Sequence, residues 1–195
     1  MIENEKRYKL TKKQFDLIKK IDLNWSIPYQ LTDIVFSKTG KVDIDIVDWI
    51  VRLRKKDCIT KIEYKSPLNK ELTKWEELSL TVNDFTIAFN LLNKIGLNSG
   101  LILDRYRMDG IWENFKIALD DFKHLGYFIE IENITFNSQI KSKDFFKAFN
   151  IEVGENCLPY GKLFLQKINE NPIFKEKLNK ELFEYNNYST KRVKI

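Results

Sequence analysis

Charge recurs at every second residue in strand-length runs along this chain, and that rhythm limits the folds open to it. Successive side chains of a strand point to opposite faces, so residues two apart share one. In IENEKRYKL (2–10), Glu3, Glu5, Arg7 and Lys9 fall on one face, with Ile2, Tyr8 and Leu10 on the other. WIVRLRKK (49–56) sets Arg52 and Arg54 against Val51 and Leu53. KIEYKSP (61–67) sets Lys61, Glu63 and Lys65 against Ile62 and Tyr64, and EELSLTV (76–82) sets Glu77, Ser79 and Thr81 against Leu78, Leu80 and Val82. LILDRYRM (101–108) pairs Arg105 with Arg107, and GYFIEIEN (126–133) pairs Glu130 with Glu132.

An open antiparallel sheet with one wet face is the plainer outcome of such alternation. Its polar side would be a loose mixture of Thr, Ser, Gln, Lys and Glu. Here Arg and carboxylates dominate that side, which favours strands curled into a barrel with the charges inside and helices over the apolar exterior. Enclosed charges are costly unless matched. The basic set (Arg7, Lys9, Arg52, Arg54, Lys61, Lys65, Arg105, Arg107) and the acidic set (Glu3, Glu5, Glu63, Glu77, Asp120, Glu130, Glu132) can largely compensate one another. Lys9 and Lys61 suit the mouth of such a tunnel, and Glu63 suits an ion pair with Lys61 or Lys65.

Between the strands, helical periodicity predicts a helix over 11–22, capped by Thr11, and another over 83–95, which buries Phe85, Ala88, Phe89, Leu92 and Ile95 and stops at Gly96. A third is predicted over 142–149. Pro159 opens a fourth, and Pro172 interrupts it before a last helix to about Tyr185. NNYSTKRVKI (186–195) has the composition of a basic, frayed tail. The fold class is α+β, in one domain with no linker or internal repeat.

With 195 residues, 43% of them hydrophobic, the chain can bury a full core. No apolar run nears the roughly 20 residues of a membrane span, and the charged N-terminus lacks a signal-peptide core. Two cysteines, Cys58 and Cys157, suit a reducing cytoplasm and act as packing residues. With His124 the sole histidine, placed in an exposed turn, zinc and Cys–His chemistry are disfavoured. Trp112, Phe115 and Phe122 fit a core better than a base-stacking platform. The net charge of +5 fits either a solvated Lys-rich surface or a polyanionic partner.

A lumen lined by guanidinium and ammonium groups suits a polyphosphate. Carboxylates beside them would repel that anion unless they held a hard divalent cation. The mixture of signs therefore points to a metal–triphosphate complex. GxxxxGK[ST] and GxGxxG are both absent, so phosphates would be held by side chains.

These residues also carry a family resemblance. Glu3, Glu5 and Arg7 resemble the ExExK opening of the CYTH domain, which joins class IV adenylate cyclases to thiamine triphosphatases and other triphosphate tunnel metalloenzymes. DIVF (33–36), VRLR (51–54), EYKSP (63–67), RYR (105–107) and ALDDFKHLGYFIEIE (118–132) are similar, in order, to that family's later motifs. PYGKLF (159–164) is similar to a segment of the class IV cyclase branch. The resemblance spans about 1–168, and 169–195 stands outside it as a C-terminal helical extension and basic tail. KWEELS (74–79) departs from the family pattern, with Ser79 in place of a second carboxylate and Trp75, or Lys74, in place of an arginine.

The resemblance implies a closed eight-stranded antiparallel tunnel that binds a triphosphate with Mg²⁺ or Mn²⁺. Carried over residue by residue, Glu3, Glu5, Glu130 and Glu132 hold metal. Arg7, Arg52, Arg54, Lys65, Arg105 and Arg107 bind phosphate, and Glu5, Asp120 and Lys65 are the catalytic candidates. The expected activity is that of a class IV adenylate cyclase, a lyase forming cyclic AMP and pyrophosphate from ATP. A triphosphatase acting on tripolyphosphate, thiamine triphosphate or a nucleotide is the alternative. A non-catalytic binder of triphosphates or 5′-triphosphate RNA is a third reading. The expected partner is a small triphosphate in the cytoplasm, with no membrane, nucleic acid disfavoured and a homodimer left open.

Overall fold

In the computed structural model, which describes residues 2–41, 48–70, 72–134 and 142–191, every alternating run is a strand. The strands are β1 (Ile2–Leu10), β2 (Tyr29–Ser37), β3 (Ile50–Lys56), β4 (Ile59–Pro67), β5 (Lys74–Val82), β6 (Asn98–Trp112), β7 (Phe115–Phe122) and β8 (Gly126–Asn133). The helices are α1 (Lys12–Ile18), α2 (Phe85–Lys94), α3 (Ser142–Ala148), α4 (Tyr160–Glu170) and α5 (Pro172–Lys191). All strand pairs are antiparallel, in the order β1-β5-β4-β3-β2-β6-β7-β8, and form one strongly curled sheet flanked by the helices. β1 lies at both ends of that order. Its first residues pair with β5, Ile2 opposite Glu76, and the rest pairs with β8, Glu5 opposite Glu132. Past that short seam, the segment ahead of α4 covers the far side of β1. Arg7 N–H donates to Asn156 Oδ1 at 2.9 Å, and Cys157 N–H donates to the Arg7 carbonyl at 2.8 Å.

The outward faces of the strands are apolar, and helices cover two stretches of them. α1 and α3 place Phe15, Ile18, Phe145 and Phe146 over Tyr8, Leu10, Ile117, Leu119, Ile129 and Ile131. α2 places Ala88, Phe89 and Leu92 over Ile34, Phe36, Leu53 and Ile102. Burial of each large side chain here stabilises the fold by roughly 1.5–3 kcal/mol, and this covering draws the charged faces inward.

The interior is charged over only part of its length. At one end the inward positions are Val35, Leu101, Leu103, Phe122 and Phe128, and Tyr160, Phe164, Phe174 and Leu178 pack on them from α4 and α5. Enclosing charge beneath two helices would leave it unpaired, so apolar residues take over where the helices stopper the sheet. α5 is thus part of the core.

Helix limits differ from the sequence pattern in three places. α1 has the expected cap at Thr11, in a capping box with Gln14, but ends at Ile18. The chain there turns to run beside β6, where Ile111 N–H donates to the Leu23 carbonyl at 3.0 Å and Ser26 N–H to the Asp109 carbonyl at 2.7 Å. In α2, capped by Asp84, Ile95 is 65% exposed rather than buried. Gly96 ends that helix at φ +93°, a conformation only glycine adopts without strain. α5 continues through Lys191, beyond the expected end near Tyr185, and 192–195 lie outside the described residues. Cys58 is exposed in the β3–β4 turn rather than packed. His124 is partly buried rather than exposed, with its ring 5.2 Å from that of Phe174 and Nε2 3.4 Å from Glu181 Oε2. Among the described residues no helix is long and apolar enough to cross a membrane.

Candidate active site

Inside the curl lies a cavity of about 150 Å³. Glu5 and Arg7 reach it from β1, Asp33 from β2, Arg52 and Arg54 from β3, and Lys65 from β4. Arg105 and Arg107 come from β6, and Glu130 and Glu132 from β8. Trp75 of β5, Lys116 of β7, and Pro159, Tyr160 and Gly161 at the start of α4 line it too, beside apolar Val35, Ile50, Leu103 and Ala118. The spacing-two doublets explain the convergence, because each strand of a curled sheet sends alternate residues to the concave side.

The charges form a continuous belt. Arg7 pairs with Glu5, and its Nε donates to Glu130 Oε1 at 3.2 Å. Arg107 Nη2 donates to Glu130 Oε2 at 2.5 Å and to Asp120 Oδ2 at 2.6 Å, while its Nε reaches Asp120 Oδ1 at 2.7 Å. Arg105 Nη1 donates to Asp33 Oδ2 at 3.0 Å. Arg54 grips Asp33 with two donors, Nε at 2.7 Å and Nη2 at 3.0 Å. Arg52 Nε donates to Glu63 Oε2 at 2.6 Å, and Lys65 Nζ lies 2.8 Å from Glu77 Oε2. Bidentate guanidinium–carboxylate pairs of this kind fix the planes of both groups.

Burial and charge oppose one another at Asp33, Glu63, Glu130 and Arg107, and charge prevails. Burial pushes the carboxyls of Asp33, Glu63 and Glu130 up, but the facing arginines hold all three below the usual carboxylate range. Arg107 is raised, its burial outweighed by Asp120 and Glu130. Burial raises the Tyr160 hydroxyl, and Glu130 and Asp120 add to it. That hydroxyl donates to Asp120 Oδ2 at 3.0 Å, and its ring lies 5.1 Å from the Arg7 guanidinium. Arg105, 3% exposed, carries a donor without a hydrogen bond: Nε lies 3.4 Å from Asp120 Oδ1, out of hydrogen-bonding geometry.

The residues singled out in the sequence divide by place. Arg7, Arg52, Arg54, Lys65, Arg105 and Arg107 line the cavity together, as do Glu5, Glu130 and Glu132. Asp120 is fully buried behind Arg107 and is not among the residues that line the cavity. Lys9 is exposed, and the side chain of Glu3 lies outside what the structure describes. The charge alternation does not single out Asp33, although a lone acid in the apolar run DIVF has to find a cationic partner. Nor does the sequence single out Tyr160, since nothing in PYGKLF alone shows that its hydroxyl meets Asp120.

Among the described residues no group of three or more His, Cys, Asp or Glu side chains is arranged to hold a metal. Glu5 and Glu132 nevertheless stand directly opposite each other on the inner face of β1 and β8. Opposed carboxylates are unfavourable without a cation near both. One or two carboxylates, with substrate phosphates supplying the rest, are what magnesium ordinarily takes from a protein. Glu5 is paired with Arg7 and Glu132 with Lys116, and their carboxylates are of the donor type that a hard divalent ion takes.

No protein-family model matches the sequence, and none of the curated proteins matches it significantly. Solved structures do match. The PH1012 protein of Pyrococcus horikoshii aligns over 83% of this chain and 98% of its own, with a TM-score of 0.70 at 20% identity. A Vibrio parahaemolyticus protein named as a candidate adenylate cyclase aligns over 85% of this chain and 98% of its own, with a TM-score of 0.63 at 16% identity. A Hippeastrum protein, named as a candidate adenylyl cyclase and described as having a dominant triphosphatase activity, covers 85% of this chain and 95% of its own, with a TM-score of 0.66 at 16% identity. At these identities the likeness is one of fold, and it is the likeness that the resemblance to the CYTH and class IV adenylate cyclase family leads one to expect.

Proposed function

We propose that this protein is a metal-dependent enzyme that draws the phosphate chain of a triphosphate into a closed tunnel and cleaves it. The observation that carries this reading is the concentration of five arginines and two lysines around one small cavity, with a buried Arg105 donor left without a hydrogen bond. Guanidinium forks match phosphate oxygens, and such donors stabilise charge that develops during phosphoryl transfer. The carboxylates behind them keep each fork aimed before substrate arrives, so little reorganisation is needed.

Glu5 and Glu132 are the residues that would hold Mg²⁺ or Mn²⁺, with Glu130 behind them. A divalent ion there would neutralise phosphate charge and acidify a water that it binds. Arg52, Arg54, Lys65 and Arg105 would grip the phosphate oxygens from β3, β4 and β6. Asp120 and Tyr160 hold Arg107 in place and stopper the end near α4.

Hydrolysis is the favoured reaction. A cavity of about 150 Å³ admits a triphosphate chain but is well below the roughly 300 Å³ at which sites for whole organic ligands begin. Cyclisation of ATP is the second reading, favoured by PYGKLF, although the contact of Tyr160 with Asp120 accounts for that segment on structural grounds. The test is product analysis with tripolyphosphate and with ATP, each with Mg²⁺, Mn²⁺ or chelator. Metal-dependent orthophosphate release supports hydrolysis, and cyclic AMP with pyrophosphate establishes the second reading. Tight triphosphate binding without turnover would leave only a binder.

A further inference from the structure

Glu5, Glu132 and Lys116 stand abreast on the inner face of three neighbouring strands. Glu132 of β8 lies opposite Glu5 of β1 on one side and opposite Lys116 of β7 on the other. Each carboxylate already faces a cation. Glu5 pairs with Arg7, and Lys116 Nζ donates to Glu132 Oε2 at 3.2 Å. The two cations differ in freedom. The Arg7 side chain is 5% exposed, and its Nε is tied to Glu130 as well. The Lys116 side chain is 56% exposed, and its ammonium rides on a flexible four-carbon stem with no planar fork to fix its direction. Lys116 falls outside the charge doublets of the sequence because Ala118 follows it on the same face. Ala118 also lines the cavity, and its methyl group takes up little of the space beside that stem.

We propose that Lys116 is a mobile counter-ion of the metal site: it neutralises Glu132 in the empty tunnel, yields that carboxylate to the divalent ion and turns onto the phosphate chain. The inference rests on the proposed function, which brings the ion to Glu5 and Glu132 and the phosphates to the arginines beside them. Charge balances at both stages. In the empty tunnel two carboxylates face two monovalent cations. Once a divalent ion has taken the carboxylates, an ammonium left beside it is repelled. Arg7 keeps Glu130 as a partner, so Lys116 is the cation that has to move. Phosphate oxygens in the cavity supply the anion it lacks, over the clear stretch at Ala118. Lys116 thereby couples the two ligands. It competes with the ion when phosphate is absent, and it grips phosphate only when the ion is present.

The test compares three affinities in wild type and in Lys116→Met. Mn²⁺ alone is followed by electron paramagnetic resonance, and tripolyphosphate by titration calorimetry, in chelator and with saturating Mn²⁺. In Lys116→Met the affinity for Mn²⁺ alone is expected to rise about 3-fold, the worth of one exposed ion pair. The affinity for tripolyphosphate is expected to stay within about 2-fold in chelator and to fall about 10-fold with Mn²⁺. Lys116→Arg keeps the charge and is expected within about 3-fold of wild type in all three. An affinity for Mn²⁺ alone that falls or does not change overturns the inference and leaves the proposed function standing. Tripolyphosphate binding weakened equally with and without Mn²⁺, or not restored by Lys116→Arg, does the same, since Lys116 would then be a fixed phosphate ligand or a surface contact. A wild type that fails to bind Mn²⁺ or tripolyphosphate overturns the proposed function and the inference together.

Discussion

Arg107 holds Asp120 with both arms of its guanidinium, at 2.7 and 2.6 Å, and Asp120 has no exposed surface. Removing one member of such a pair leaves the other charged, buried and uncompensated. Asp120→Ala is therefore expected to cost roughly 3–5 kcal/mol of folding stability, read from urea denaturation. A loss below about 1 kcal/mol would mean that Glu130 alone satisfies Arg107.

Tyr160 joins the same carboxylate from the helical side, and Tyr160→Phe deletes a single donor. A hydrogen bond to a charged group is worth about 1.5–3 kcal/mol, the expected loss near neutral pH. Because the hydroxyl's acidity is weakened in the fold, its contribution is complete below the ordinary tyrosine value of about 10 and is lost as pH rises through the folded value. The stability gap between wild type and Tyr160→Phe should therefore narrow in alkali. A gap that widened there would mean that the ionised phenolate is tolerated in the fold.

The alternation of Glu5 with Arg7, of Arg52 with Arg54 and of Glu130 with Glu132 was enough to predict strands that turn their charges inward, because period two is a local property. Which charge meets which is not local. Asp33 is reached by arginines from β3 and β6, so its importance emerges only when β2 lies between them. The apolar end of the lumen was hidden for a related reason. Leu101 and Leu103 share a face with Arg105, yet sequence alone does not show that α4 and α5 fold onto that stretch. Trp75 stood out as a departure from the family pattern, and its place in the wall, with Nε1 donating to the Leu72 carbonyl at 3.1 Å, depends on the turn before β5.

Acid should loosen the belt before it affects the helices outside. Asp33, Glu63 and Glu130 all have depressed folded values, so their contribution is complete above the ordinary carboxylate range near pH 4 and is lost as pH falls below it. Stability measured from pH 7 down to about 2 should be level at first and then fall steeply below about 4. A decline that began near pH 6 would point to His124 instead, whose partly buried ring disfavours the protonated form despite Glu181, since no other histidine exists in the chain.

Glu132 separates catalysis from stability better than Glu130. Glu130 is buried between Arg7 and Arg107, so Glu130→Gln would disturb the fold together with any bound ion. Glu132 is less enclosed, and its contact with Lys116 at 3.2 Å involves a lysine whose side chain is 56% exposed, a pairing worth about 0–1 kcal/mol. Glu132→Gln should therefore leave the urea midpoint nearly unchanged. If Glu132 and Glu5 share a divalent ion, the same substitution should raise the Mg²⁺ concentration needed for half-maximal triphosphate cleavage by about 10–100-fold. An unchanged Mg²⁺ requirement in a folded Glu132→Gln protein would remove Glu132 from the metal site, and with it the reason two carboxylates face each other across β1 and β8.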